Sequence, residues 1–367
     1  MGNVTSPSRP SRPLPRVWVL FGKGTGGNGQ MQSLADALGW PYEIKQLRHN
    51  KLNGLPNLLL GATDVTLDRA ASSPLVPPWP DLVIAASRRA APVAQWIRKQ
   101  SGGRTKLVHL LHVQAPLGRF DLIVTMPQFR LPERDNILHL TGVLNRIDPA
   151  ALCEAEQAWR PRLAHLPRPW TALLVGGNSS AYLLDAATAA RLGHEASRQV
   201  SARGGSLLVT TSPRTPSDAA DALAAAVDVP GHVYKWKKDD AAGNPYKGFL
   251  ALADDFIVTI DSASLLVEAS ATGRPVAVFD WPRRAAGAGA GAKHAGAAPS
   301  WLWRKAVDLG LFKPARDFDA YFAEMRRRGL AHRFGEEAPR ERQPLDDLEQ
   351  AVARVRALFD LHPEPGQ

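Results

Sequence analysis

The sequence predicts an α/β protein built from two Rossmann-like domains, with closing helices at the C-terminal end. Three observations carry this. Short apolar runs rich in β-branched residues recur along the chain, and such runs suit strands buried on both faces of a parallel sheet. Stretches with apolar residues at helical spacing alternate with them, which is the signature of doubly wound βα units. Two of the runs open into glycine-rich turns, at 22–30 and at 176–180, and each turn begins a new series. At 367 residues the chain is too long for one ordinary core.

In the first half, VWVLFG (17–22) is a strand that leads into GKGTGGNGQ (22–30). A helix is expected over 31–40, with Met31, Leu34, Ala35 and Leu38 on one face. YEIKQL (42–47), DLVIAAS (81–87), TKLVHLLH (105–112), DLIVTM (121–126) and NILHLTG (136–142) are the further strands. A helix APVAQWIRKQ follows Arg88 and Arg89. Gly24, Gly26 and Gly29 match the dinucleotide fingerprint in form, yet the acid expected about 20 residues later is missing. The turn is not a P-loop either, because Lys23 precedes the glycines and no Lys-Ser/Thr follows them.

A helix over 149–165 and a proline-rich stretch to Pro169 form the expected hinge. WTALLVGG (170–177) then begins the second series, followed by helix 185–202, strand 205–212, helix 218–227 and strand 232–236. Helix 246–252, strand FIVTI (256–260), the polar turn Asp261 to Ser264, helix 265–271 and strand PVAVF (275–279) complete it. In an open α/β sheet, ligands sit beyond the C-terminal ends of the strands. Ser262, Ser264 and the helix-start N–H groups would point there and suit phosphate. Glu268 lies one turn further along; its carboxylate can accept two hydrogen bonds from a vicinal diol, or be simply a solvated helix residue. After Phe279 an Ala/Gly stretch (285–300) reads as a flexible loop. Two amphipathic helices follow, 317–330 and 345–359. The predicted division is a disordered tail (1–16), an N-terminal domain (17–150), a linker helix and hinge (151–169), a C-terminal domain (170–282), the loop (283–300) and the closing helices (301–367).

Composition narrows the function. With 44% hydrophobic and 22% charged residues the chain is of ordinary globular type. No run approaches the ~18 apolar residues of a membrane helix. The Pro-, Ser- and Arg-rich start lacks the apolar core of a secretory signal. A single cysteine, Cys153, excludes internal disulfides and fits a reducing, cytoplasmic setting. No zinc cluster is visible, and neither metal nor cofactor is expected. The net charge of +10 has no aromatic-studded basic module beside it, so no nucleic-acid partner is expected. An anionic substrate or an anionic membrane surface accounts for it, as would an arginine-rich proteome.

Longer words are more specific. They are G-x-x-x-G-x-N-x-Q at Gly22, Gly26, Asn28 and Gln30; SRRAAPVA-x-WIRKQSGGRTKLVHL at 87–110; APLGRFDLIVTMPQFRLP at 115–132; LLVGGNSSAY at 173–182; TSPRTP at 211–216; and 244–276. Together they resemble the bacterial members of the mitochondrial fission "elongated mitochondria" family, often labelled nucleoside-diphosphate-sugar epimerases. The element from Asn244 to Phe279 also resembles the sugar-nucleotide element of GT-B glycosyltransferases and of sugar-nucleotide 2-epimerases.

The resemblance implies a GT-B-like pair of domains facing across a cleft, with a nucleotide sugar in the C-terminal one as substrate. Gly176, Gly177, Asn178 and Ser179 would sit near its diphosphate, with Arg214, Ser262 and Ser264 on phosphate. Glu268 would hold the ribose, and Lys247 would be a charge partner. The N-terminal loop, with Gly22, Gly26, Gly27, Asn28, Gln30 and Arg88, would face the acceptor. Gly27 departs from the family, where an acidic residue or histidine is common.

Inverting transfer needs a base near the acceptor hydroxyl. The peptidoglycan glycosyltransferase has a histidine after its Gly-rich turn, where this chain has Asn28, which is no base. His112 and Glu133 are the remaining candidates. Three readings follow: a glycosyltransferase acting on an envelope or lipid-linked acceptor, peripheral at the inner membrane; a sugar-nucleotide epimerase; and a non-catalytic scaffold.

Overall fold

The structure is a computed structural model that describes residues 13–144, 147–179, 181–240, 242–281, 305–311 and 317–359. It holds two six-stranded sheets with helices between the strands. The first contains β1 (Val17–Phe21), β2 (Tyr42–Gln46), β3 (Leu82–Ala85), β4 (Lys106–Leu110), β5 (Leu122–Thr125) and β6 (Ile137–His139), in the order β2-β1-β3-β4-β5-β6. The second contains β7 (Trp170–Leu174), β8 (Ser206–Thr210), β9 (Gly231–Tyr234), β10 (Asp255–Thr259), β11 (Val276–Phe279) and β12 (His332–Arg333), in the order β12-β11-β10-β7-β8-β9. β1 through β5 pair in parallel, as do all pairs of the second sheet. The chain divides into two compact units, 1–124 with 308–311 and 351–367, and 125–307 with 312–350.

The strand assignments follow from burial. Leu82, Val83 and Ile84 are fully buried in β3, as are Leu207, Leu208 and Val209 in β8. Each such side chain removed from water is worth about 1.5–3 kcal/mol, so a run of three fixes a strand without help from turn chemistry. β12 escapes sequence reading, because a two-residue His-Arg pair carries no apolar pattern. It exists through its register on β11, Ala277 opposite His332.

The first helix differs from expectation. It runs Thr25–Leu38, so most of the supposed glycine loop is its first two turns. Glycine inside a helix costs about 1 kcal/mol relative to alanine, and Gly26, Gly27 and Gly29 all fall inside. Burial of Met31, Leu34 and Leu38 to 2% exposure or less, at about 1.5–3 kcal/mol each, outweighs that. The helix stops at Gly39, whose φ of 67° is left-handed. In the second unit the helix expected from 265 starts at Ala263.

In the helix Phe318–Arg327, Phe318, Tyr321, Phe322 and Met325 are all buried, as the spacing predicts. The last helix is Asp347–Ala357, and Asp347 accepts hydrogen bonds from the N–H groups of Thr141 and Gly142 at 2.9 and 2.6 Å. The N-terminal tail up to residue 12 and the Ala/Gly stretch lie outside the described residues. No helix among the described residues is long and apolar enough to cross a membrane.

Candidate functional site

In the second unit, a cluster forms at the C-terminal ends of β7, β8 and β10, around Asp261. This carboxylate is 4% exposed. Its Oδ2 accepts from Gly177 N at 2.9 Å and pairs with Arg214 Nη1 at 2.8 Å. Its Oδ1 is buried with no hydrogen-bond partner among the described residues. Burial pushes the Asp261 carboxyl upward, and Arg214, Thr259 and Gly177 pull the other way without cancelling it.

The two glycines are dictated by this packing. A Cβ on Gly176 would stand 2.3 Å from Asp261 Oδ2. A Cβ on Gly177 would stand 2.3 Å from the Arg214 carbonyl oxygen, at a φ of 147° that other residues rarely adopt. Gly176 N donates to Thr259 Oγ1 at 2.8 Å, and Thr215 Oγ1 donates to Gly176 O at 2.5 Å. Asn178 is knit into the same turn: its N–H donates to Arg214 O at 3.0 Å and its Oδ1 accepts from Leu184 N at 2.9 Å. Ser179 Oγ accepts from Tyr182 N at 3.1 Å. Tyr182 is a packing residue, buried between Trp281 and Phe318. The Arg214 guanidinium donates to Asn178 O at 3.2 Å and stays 40% exposed.

The helix Ala263–Ala271 starts beside this cluster. Ser262 occupies its N-cap position, but no side chain bonds to the helix start. The first N–H groups therefore carry no side-chain cap, and with the helix dipole they attract anions. Ser262 and Ser264 are half-buried. One face of the helix carries Glu268, whose Oε2 accepts from Tyr246 Oη at 2.6 Å. Burial first, then the Glu268 charge, pushes the Tyr246 phenol well above its ordinary value, so it stays a donor. Lys247 is exposed on the neighbouring helix Tyr246–Leu252.

The first unit has a cavity of about 310 Å³ where β1, β3 and β4 end. Gly22, Lys23, Gly24, Gly27 and Asn28 form one wall; His49, Asn53, Ser87 and Arg89 form others. Asn28 Nδ2 donates to Gly22 O at 3.0 Å, and its Oδ1 accepts from Gly22 N at 3.1 Å. Both ends of the amide thus clamp the strand end to the helix. Gln30 is buried and donates to Gly26 O at 3.3 Å. Arg88 and Arg89 part company. Arg88 donates to the carbonyls of Gly54 and Leu55, at 3.3 and 2.8 Å, whereas Arg89 lines the cavity.

The base candidates are not assembled. Glu133 has a 90% exposed side chain and lies 3.6 Å from His139. His112 is 8% exposed and does not line the cavity. His109 is fully buried, and burial depresses its imidazole to about 4. The histidine that does reach the cavity is His49, held below its usual range by burial and then by Arg89. Sequence reasoning passed over Asp261, Tyr246, His49, Lys23 and Arg89 as site residues. Asp261 carried a signal, an acid at a strand end before a Ser-x-Ser helix start; for Arg89, adjacency to Arg88 conceals which side chain faces in. A larger groove of about 860 Å³, beside Arg16, Trp79 and Lys106, lies at the N-terminal ends of the first sheet, the end that in open α/β sheets is not the ligand-binding one.

Comparison with known proteins supplies the family. Residues 25–294 match the family Mitochondrial fission ELM1. The mitochondrial fission protein ELM1 of Arabidopsis thaliana is 32% identical over 221 residues, 54% of this chain; the match spans 51% of that protein, about half its length. The uncharacterized protein RP120 of Rickettsia prowazekii (strain Madrid E) is 25% identical over 72% of this chain and 82% of its own. Among solved structures, a Listeria monocytogenes protein assigned as a UDP-N-acetylglucosamine 2-epimerase aligns over 96% of this chain and 98% of its own, with a TM-score of 0.50 and 13% identity. That likeness is one of fold. The two parallel sheets place the chain with GT-B-type α/β proteins, and its sequence makes it a member of the Mitochondrial fission ELM1 family.

Proposed function

We propose that this chain is a GT-B-type glycosyltransferase that binds a nucleotide sugar in its second unit and passes the sugar to an envelope or lipid-linked acceptor. The observation that carries it is the cluster on Asp261: a half-exposed guanidinium, set in place by the Gly176-Gly177 turn, and a helix start without a side-chain cap, both at the strand ends. Arg214 and the helix N–H groups suit a diphosphate, the guanidinium as a bidentate donor. Glu268, held by Tyr246, is the carboxylate that the vicinal hydroxyls of a ribose would donate to. Ser262 and Ser264 add hydroxyl donors beside the phosphates.

The test is a thermal-shift series with UDP-, GDP-, CMP- and ADP-sugars, with NAD and NADP as controls. A ligand that binds only the folded state raises its stability. One nucleotide sugar is expected to shift the wild type, and Glu268→Ala to abolish the shift. An equal shift in the variant would remove Glu268 from the site and sink the reading.

One observation favours a second reading, that of a scaffold without turnover: Asn28 is clamped to Gly22 and Glu133 stands in solvent, so neither is poised to take a proton. Scaffolding predicts nucleotide-sugar binding or none, and no product with any acceptor. An epimerase, in contrast, would form product from the donor alone.

A further inference from the structure

We propose that the cavity of the first unit is a separate anion site that takes a phosphate group, carried by the acceptor. This deepens the acceptor half of the glycosyltransfer reading and rests on that reading only for the word acceptor.

Charge is the first ground. Lys23, His49 and Arg89 all line the cavity, and no aspartate or glutamate does. Lys23 and Arg89 are exposed and form no ion pair among the described residues. Other arginines of this molecule, such as Arg69, Arg168, Arg203 and Arg326, are paired with carboxylates. Two like charges on one small cavity repel, and an anion between them turns that repulsion into two attractions. The Arg89 charge reaches His49, so the basic groups act on the same space.

Backbone is the second ground. The helix Thr25–Leu38 opens on this cavity, with no capping side chain at Gly24 and no acid in its first turn. Gly24 and Gly27 are part of the wall. At Gly24 an added Cβ would meet nothing within 4 Å, and its φ of −82° is one that any residue adopts. Neither packing nor conformation therefore asks for glycine at this wall position. Bare backbone beside the cavity is what close approach of a phosphate requires.

The rim indicates what carries the phosphate. His49 and Asn53 belong to a segment that exposes Leu52, Leu55, Leu58 and Leu59, the last at 77%. The segment is pinned rather than loose: Arg88 holds the carbonyls of Gly54 and Leu55, and Asn57 donates to Arg88 O and Gln114 O at 2.7 Å each. No acidic residue occurs from Arg48 to Gly61. A fixed apolar edge beside a basic cavity suits a phosphate borne by a lipid, with the leucines against the acyl region.

The experiment uses the full chain and two probes, soluble glycerol 3-phosphate by calorimetry and phosphatidic acid in phosphatidylcholine vesicles by sedimentation. Three proteins are compared: wild type, Lys23→Gln/Arg89→Gln, and Leu58→Ser/Leu59→Ser. All four positions are exposed, and thermal unfolding checks that the variants fold. The charge variant is expected to lose at least tenfold in affinity for glycerol 3-phosphate. If the phosphate sits on a lipid, both variants lose retention on phosphatidic acid vesicles, and pure phosphatidylcholine retains none of the three. If it is free, the vesicle arm stays empty and the soluble arm alone responds. Undiminished glycerol 3-phosphate binding in the charge variant, or none in the wild type with either probe, overturns the proposal. The nucleotide-sugar shifts are recorded on the same proteins. Donor binding that fails while the phosphate arm responds would sink the glycosyltransfer reading and leave the anion site standing.

Discussion

His109 shows how far a single residue can be read from sequence and where reading stops. Its place in an apolar strand marks it as a packed histidine, and the structure buries it completely, with Nε2 3.3 Å from Ser87 O and its ring edge-on to Phe120. Sequence could not show that His49, and not His109, lines the cavity near it, because His49 follows β2 on the far side of β1 and only the sheet order brings it round. A pH dependence follows. The folded imidazole titrates at about 4, below the 6.5 of an unfolded one, so the stability it contributes is complete above 6.5 and is lost as pH falls through 4. Between pH 7 and pH 4.5 that loss is on the order of 2 kcal/mol. Urea unfolding at both pH values should show a fall in wild type that is smaller by this amount in His109→Gln. Equal falls in both proteins would mean that His109 is not the group that titrates. Asp261 works in the opposite sense, since burial raises its carboxyl: the stability it withholds at neutral pH returns on acidification, in both proteins alike, and so cancels in the comparison.

At the scale of elements, nearly every strand was legible, and the first helix was legible from Met31 onward but not in its glycine-rich first turns. Apolar runs such as those in Leu82–Ala85 and Asp255–Thr259 announce themselves because burial on both faces favours apolar side chains at successive positions. The Gly-rich stretch misleads because propensity and packing disagree, and packing over Met31, Leu34 and Leu38 prevails. The two glycine clusters therefore predict opposite outcomes. Gly29→Ala places a methyl in open space within a helix, so it should stabilise by about 0.5–1 kcal/mol. Gly177→Ala forces a Cβ onto the Arg214 carbonyl at a φ of 147°, and should destabilise by more than about 2 kcal/mol. Thermal unfolding of the two variants decides this. A stabilised Gly177→Ala would mean that the turn around Asp261 relaxes freely, and the cluster could not then be a preformed phosphate cradle.

At the scale of the whole molecule, the two sites belong to different units, and a ligand specific to one should leave its mark there. Family words covering most of 17–282 mark the residues of the proposed donor site, whereas the contacts that orient them, Tyr246 on Glu268 and Asp261 on Arg214, join residues 22 and 47 apart in the chain and carry no local signal. A nucleotide sugar at a hundred times its Kd should stabilise the state that binds it by about 2.7 kcal/mol. Hydrogen exchange is the measurement that locates this. Protection should rise at 176–179, 211–215 and 262–268, the backbone around the cluster, with the amides of 22–29 and 49–53 unchanged. Glycerol 3-phosphate should give the reverse pattern. If the nucleotide sugar instead protected 22–29 and left 262–268 exchanging as before, the donor would belong to the first unit, and Lys23 and Arg89, rather than Arg214, would be the groups on its diphosphate.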